Sequence, residues 1–358
     1  MHIYEYLFAG LIIISMLIGS TIMVITLSTP ASNASDKDTL KVTAEKIMTQ
    51  MLLDSGYPNN WGSDNTPPQN LKVFGLAKYG ETSRQAYELD PDKVLRLNSN
   101  LGGSPSNFVN ATIAAKLLGL NNIHDSLDYG FTLEFNETLQ VNSSPLGSDK
   151  YSVSVLSDYA LPIIGANVSA VLYYVNSSSL IAHLGPVYNT TIYDGSCILD
   201  LSGSSTGQAK ALAIAVDYYG AYTTKLYGSM GTSVLNATLF GSSLIPSSSL
   251  PYPAINGANC SEIILIQTSQ GHETRDFNVS ISETPTSLDL DSAPEPSAVA
   301  VLAVSGNNLL VASRDFSNIS YRTIPAIRSV ASAYSLERTV IIGGSTYKAT
   351  LYFWRMVI

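Results

Sequence analysis

The residues that could do chemistry are few and scattered. The four histidines, His2, His124, His183 and His272, stand alone. None has a second histidine or a cysteine at the spacing that holds a metal ion. They are read as surface or partly buried side chains. The stretch "GSSTG", 203–207, matches Gly-x-Ser-x-Gly. That pattern presents a nucleophile only at a sharp strand-to-helix turn, and here it lies in a Ser-rich part of an all-β region. The "QAK" that follows lacks the Gly-Lys-Ser/Thr ending of a phosphate loop. "DLDLDS" and "DFSN" bring carboxylates together without the spacing of an EF-hand loop. Tyr57, Trp61 and the tyrosines of "DYYGAY", 217–222, have faces suited to sugars, but they are read first as packing groups. The sequence therefore implies no enzyme and no cofactor.

Composition sets the class. Hydrophobic residues make up 45% of the 358 residues, enough for two or three cores. Charged residues reach only 13%, about half the usual share. Serine and threonine supply the polar balance. The net charge of −9 argues against a nucleic-acid partner, which would call for clustered basic residues.

The first thirty residues, "MHIYEYLFAGLIIISMLIGSTIMVITLSTP", carry no charge after Glu5. The apolar run from Leu7 to Leu27 is about 20 residues long and spans about 30 Å as a helix, one bilayer core. A cleaved secretory signal would have a basic start and a shorter run. A transmembrane anchor over 1–30 is expected, with its N-terminus inside the cell. Ser15 and Gly19 form a small-xxx-small pair that allows close helix packing and self-association.

Asn-X-Ser/Thr sequons occur at Asn33, Asn110, Asn136, Asn142, Asn167, Asn176, Asn189, Asn236, Asn259, Asn278 and Asn318. About five would arise by chance at this Ser and Thr content. They mark candidate glycans on an ectodomain outside the cell. Cys197 and Cys260 are the two cysteines. In an oxidising compartment they could form one disulfide, and their spacing matches no metal motif.

The elements follow from periodicity. Leu40, Ala44, Ile47, Met51 and Leu52 form one apolar stripe of a helix over about 38–54. Gly56 and Pro58 then stop it, so "DSGYPNNWG" is a turn closing a stalk segment over 31–68. Residues 69–148 read as a small α+β region. Asp90 caps a helix carrying Pro91 at its first position, "SNFVNATIAAKLLGL" gives another helix, and "GFTLEFNETL" a strand. From Tyr151 onward the pattern is short strands between Pro, Gly, Ser and Asp. Two β units are expected, 149–227 and 228–358. The fold class is α+β, mainly β.

Two resemblances go further. "LPIIGANVSAVLYYV…TTIYDGSCILDL" resembles the Ig-like or prealbumin-like sandwich modules of cell-surface proteins. "LLDSGYPNNWG…FGLAKY…YELDPDKVLRL" resembles archaeal type IV pilin-like, membrane-anchored surface proteins through Leu52, Leu53, Ser55, Gly56, Pro58, Trp61, Phe74, Gly75, Leu76, Tyr87, Leu89, Asp90, Lys93 and Val94. The closing "YKATLYFWRM" is similar to their last strand. That resemblance implies a helix that sits in the membrane or packs in a filament, with Glu5 as the pilin-type glutamate. The chain departs from it in one respect. Met1 abuts the apolar run and Ala9-Gly10 falls inside it, so an uncleaved anchor is expected. The expected function is non-enzymatic: surface structure, self-association or adhesion, with the membrane, other surface proteins and glycans as partners. A filament subunit is the nearest alternative. An extracellular hydrolase or solute-binding protein would need convergent polar groups, which the sequence does not show.

Overall fold

The computed structural model describes residues 38–62, 67–79, 86–99, 108–147, 149–176, 181–203 and 210–228, the strands between 234 and 323 with Arg314, Phe316 and Thr323, residues 333–356, and Ile14. The remainder of the apolar N-terminal segment, Glu5, Ser15 and Gly19 included, lies outside the described residues. Among the described residues no helix is long and apolar enough to cross a membrane. The chain is mainly β, in four sheets.

The base of the molecule is a helix-covered sheet. Helix α1 covers 38–53 and buries Leu40, Ala44, Ile47, Met51 and Leu52, the stripe that its spacing predicts, together with Met48. Helix α2, Pro91–Leu95, is capped by the Asp90 carboxylate, which accepts from the amides of Asp92 and Lys93. Helix α3, Ala111–Leu117, is capped by Asn110. The sheet has five strands: β1 (Glu88–Leu89), β2 (Tyr129–Glu137), β16 (Ile319–Arg322), β17 (Ala333–Ile342) and β18 (Ser345–Arg355). Their order is β1-β17-β18-β2-β16. Only β1–β17 is parallel. Phe131, Leu133 and Phe135 of β2 and Tyr347, Ala349, Leu351 and Phe353 of β18 alternate toward the helices and form one core with them.

Between β2 and β16 the chain builds three further sheets. Strands β3 (Leu139–Gly147), β4 (Lys150–Ser157) and β7 (Ser196–Asp200) form one sheet in that order. Strands β5 (Asn167–Val175), β6 (Ile181–Thr190), β8 (Lys210–Tyr218) and β9 (Ala221–Gly228) form a second, ordered β6-β5-β8-β9. Val141, Val153, Val155, Cys197 and Leu199 from the first sheet meet Val168, Ala170, Leu172, Leu212, Ile214 and Val216 from the second. This is a sandwich with Ig-like crossovers, since β4 leads to β5 and β6 leads to β7 across the two layers.

The third sheet, ordered β11-β10-β15-β14-β12-β13, comprises β10 (Val234–Phe240), β11 (Ser243–Pro246), β12 (Asn259–Ile266), β13 (Phe277–Ser280), β14 (Ala300–Ser305) and β15 (Asn308–Ser313). Leu309 and Val311 of β15 pack on Val171, Tyr173, Val175, Ala211 and Ala213, the outer face of the second sandwich sheet. Strands β5 and β8 are thus covered on both faces, which is why "AVLYYV" and "ALAIAV" read as continuous apolar runs.

Among the described residues, hydrogen bonds and ion pairs fix base to sandwich. Thr138 Oγ1 donates to the Thr346 carbonyl, and the Tyr222 amide donates to Thr346 Oγ1. Lys348 of β18 pairs with Asp158 at 2.5 Å, and Lys225 of β9 pairs with Glu137 of β2. The two ion pairs cross the joint in opposite senses.

Tyr321 is fully buried among Phe74, Phe108 and Phe131, and its hydroxyl has no partner among the described residues. A buried hydroxyl left unpaired costs about 1–3 kcal/mol. Tyr321→Phe should therefore unfold at an unchanged or higher urea midpoint. A loss above about 1 kcal/mol would mean that the hydroxyl is paired.

Candidate functional site

Several of the residues that carry the pilin-like resemblance, Ser55, Trp61, Gly75, Asp90 and Lys93 among them, meet in one cluster. Lys93, on the first turns of α2, has no exposed surface. Its Nζ donates to the carbonyls of Ser55 and Ala77, both at 2.9 Å, and lies 3.8 Å from the Asp90 carboxylate. The Trp61 indole is buried, and its Nε1 donates to the Gly75 carbonyl at 3.0 Å. Lys93 and the Arg96 guanidinium stand over that ring at 6.0 and 5.5 Å from its centroid, within cation–π range. Arg96 also donates to the Trp61 carbonyl, and Arg314 pairs with Asp92 at 3.2 Å. Gly75 leaves room for none of this to shift: a Cβ there would lie 2.2 Å from the Asp54 carbonyl oxygen.

Burial pushes the Lys93 amine below its ordinary range and the Asp90 carboxyl above its own, the latter helped by Asp92. The amine's hydrogens point at carbonyl oxygens and it is closed to solvent. The cluster clasps three chain segments together. "DSGYPNNWG" is one jaw of this clasp.

The exposed chemistry lies at the end of the sandwich that faces the base. The loop 158–166 and the loop 191–195 are knitted by backbone and side-chain bonds. Gly165 N donates to the Thr191 carbonyl, Thr191 N to the Ala166 carbonyl, and Ala166 N to Thr191 Oγ1. Tyr159, Leu161, Ile164, Ile192 and Tyr193 stand out from these two loops into solvent. Lys348 sits over the Tyr159 ring at 4.9 Å. Tyr219 projects from the β8–β9 turn in a left-handed conformation, almost wholly exposed.

The sequons are spread over the surface and do not converge. Asn110, Asn136, Asn142, Asn167 and Asn189 are exposed, and Asn176 is half-buried. The side chains of Asn33, Asn236, Asn259, Asn278 and Asn318 lie outside the described residues. Cys197 is a free thiol in the sandwich core, facing the interior between the first two sheets, and Cys260 belongs to β12 of the third sheet. Most of "GSSTG" lies outside the described residues. Among the described residues no group of three His, Cys, Asp or Glu side chains is placed to hold a metal ion.

No protein-family model matches the chain, and neither does any curated protein. Solved structures that show partial likeness include the following three. One is a tetra-tandem repeat in the extending region of a large adhesion protein, at 15% identity and TM-score 0.20 over 51% of this chain and 48% of that one. Another is a two-domain fibronectin type III segment of chicken tenascin, at 15% identity and TM-score 0.16 over 52% and 99%. The third is a trypsin-activated alpha-2-macroglobulin from Escherichia coli, at 9% identity and TM-score 0.19 over 57% and 18%. The chain spans about half the length of the adhesion-protein repeat. The sandwich assignment rests on the strand order and shared core given above.

Two tests probe the buried groups. Lys93→Met should cost about 2–3 kcal/mol in urea unfolding, because two carbonyls and Asp90 lose their partner. The folded chain releases the Lys93 proton below the ordinary value of 10.5. In the window between the folded pKa and that value the unfolded state holds more protons. Wild-type stability relative to Lys93→Met should therefore rise as pH climbs toward 10.5; a flat or falling difference would contradict the burial. Burial also pushes the Cys197 thiol up to about 11. At pH 8 a thiol-specific dye should label a Cys260→Ser variant only after denaturation, and rapid native labelling of that variant would show that the sandwich core is open.

Proposed function

We propose that the chain is a non-enzymatic surface protein, held in a membrane by its apolar N-terminal segment, with its β layers outside the cell. Its work is adhesion or self-association. The observation that carries this reading is the apolar and aromatic group Tyr159, Leu161, Ile164, Ile192 and Tyr193, held in place by two interlocked loops and left facing solvent. Rigid aromatic groups of that kind make good anchors for a binding partner. The weakly charged Ser/Thr-rich composition and the sequons support an extracellular surface. The apolar stretch from Leu7 to Leu27 supports the anchor.

A filament subunit is the second reading. It is favoured by one feature, the amphipathic helix α1 that follows an apolar stretch and lays its buried face on an antiparallel sheet. Mass spectrometry of the N-terminus from a membrane fraction separates the two. An intact terminus supports the permanent anchor, and a terminus trimmed at the apolar run supports assembly.

The adhesive reading has its own test. Full-length chain in lipid vesicles should bind intact cells of its source, and intact cells should lose the β layers to external protease. Leu161→Ser with Ile164→Ser and Tyr193→Ser should weaken vesicle binding by about tenfold or more with the melting temperature unchanged. Unaltered binding by this variant, or protection from protease, would reject the reading.

A further inference from the structure

N-glycosylation joins the Asn Nδ2 to the anomeric carbon of a phosphate-activated sugar. The bond from that carbon to phosphate breaks, Nδ2 gives up one proton and the phosphate leaves as an anion. The reaction therefore needs a free Nδ2. It also needs the one group that Ser and Thr share at the third sequon position, a hydroxyl that the transferase can reach. The strand sequons differ in both respects.

The sequon at Asn189 is engaged at each end. Asn189 Nδ2 donates to the Ile198 carbonyl at 2.7 Å, which ties edge strand β6 to edge strand β7 across the open side of the sandwich. Its Oδ1 accepts from the Thr190 amide at 2.8 Å. The hydroxyl of the third residue, Thr191, accepts from the Ala166 amide at 2.9 Å and donates to the Ile163 carbonyl at 2.7 Å. Thr191 is 3% exposed. At Asn136 the amide is exposed, but the third residue, Thr138, spends its hydroxyl on the Thr346 carbonyl in the joint between base and sandwich.

Asn142 and Asn167 are unlike these. Asn142 lies on edge strand β3 with its side chain away from the core, and Ser144 is exposed beside it. Asn167 opens β5 and is exposed, with Ser169 half-buried. Neither asparagine nor either serine makes a side-chain hydrogen bond among the described residues.

We infer that the strand sequons whose side chains the structure describes are of two kinds: Asn142 and Asn167 are open glycan acceptors, whereas the sequons of Asn136 and Asn189 are structural joints that stay unmodified in the folded protein. The inference rests on the surface reading only in assuming that the cell supplies a transferase, and the test supplies its own.

Purified full-length chain in detergent, made in a host without N-glycosylation, is treated with a soluble N-glycosyltransferase and a nucleotide-activated hexose. The reaction is run on the folded protein and, as the unfolded reference, on synthetic peptides that span each sequon. Peptide mass spectrometry then gives the initial rate at each asparagine. The folded-to-unfolded rate ratio should be near one at Asn142 and Asn167. At Asn136 and Asn189 it should be lower by about tenfold or more, since the hydrogen bonds must open first. A ratio near one at Asn136 or Asn189, or protection of Asn142 and Asn167 equal to theirs, overturns the inference. None of these outcomes depends on where the protein resides in the cell, so a failed surface reading would show in the protease experiment and not here.

Discussion

Everything in the base depends on one long-range pairing. Strand β18 lies between β17 and β2, and its inward face supplies Tyr347, Ala349, Leu351 and Phe353 to the core that also takes in α1, α2 and α3. Removing β18 would split the sheet, leaving β2 paired only with β16 and β17 only with β1, with Phe131, Leu133 and Phe135 losing their neighbours on β18. The helices cover a sheet that exists only because the strands within 88–137 and 319–355 meet. The Lys93 clasp and the joint to the sandwich are built on that sheet: Thr346, which receives Thr138 and Tyr222, sits at the start of β18.

The layers above the base obey the same logic with different neighbours. The second sandwich sheet is apolar on both sides because β15 covers the face that an ordinary two-layer sandwich turns to water. Edge strands receive other protection. Pro186 interrupts β6 and Pro145 interrupts β3, so each presents a broken ladder to a passing strand. The bond from Asn189 to Ile198 closes the open side between two such edges.

What the sequence revealed was local. The helix stripe from Leu40 to Leu52, the cap at Asp90 followed by Pro91, the turn at Gly56 and the alternation of Phe131, Leu133 and Phe135 each come from a short window with a mechanical cause. Neighbour choice was hidden, because alternation tells which face a residue takes and not which strand lies beside it. The return of β18 to β2 was invisible for that reason. Lys93 was a second blind spot. A lysine beside aspartates reads as a solvated side chain, and only the folded chain shows two carbonyls waiting for its amine. The sequons were legible as a pattern, but the engagement of Thr138 and Thr191 depends on residues far away in the chain.

The insertion of all three upper sheets between β2 and β16 has a mechanical consequence. These two strands are antiparallel neighbours, and the upper layers are attached to the end of one and the start of the other. A tug on the upper layers therefore runs lengthwise along both strands at the same end of the base sheet. It loads the ladder between β2 and β18 in shear, where many hydrogen bonds share the force and must fail together, instead of peeling them one at a time. A molecule held at its helical side and pulled at its far end would meet the load along the whole β2–β18 ladder from Tyr129 to Glu137.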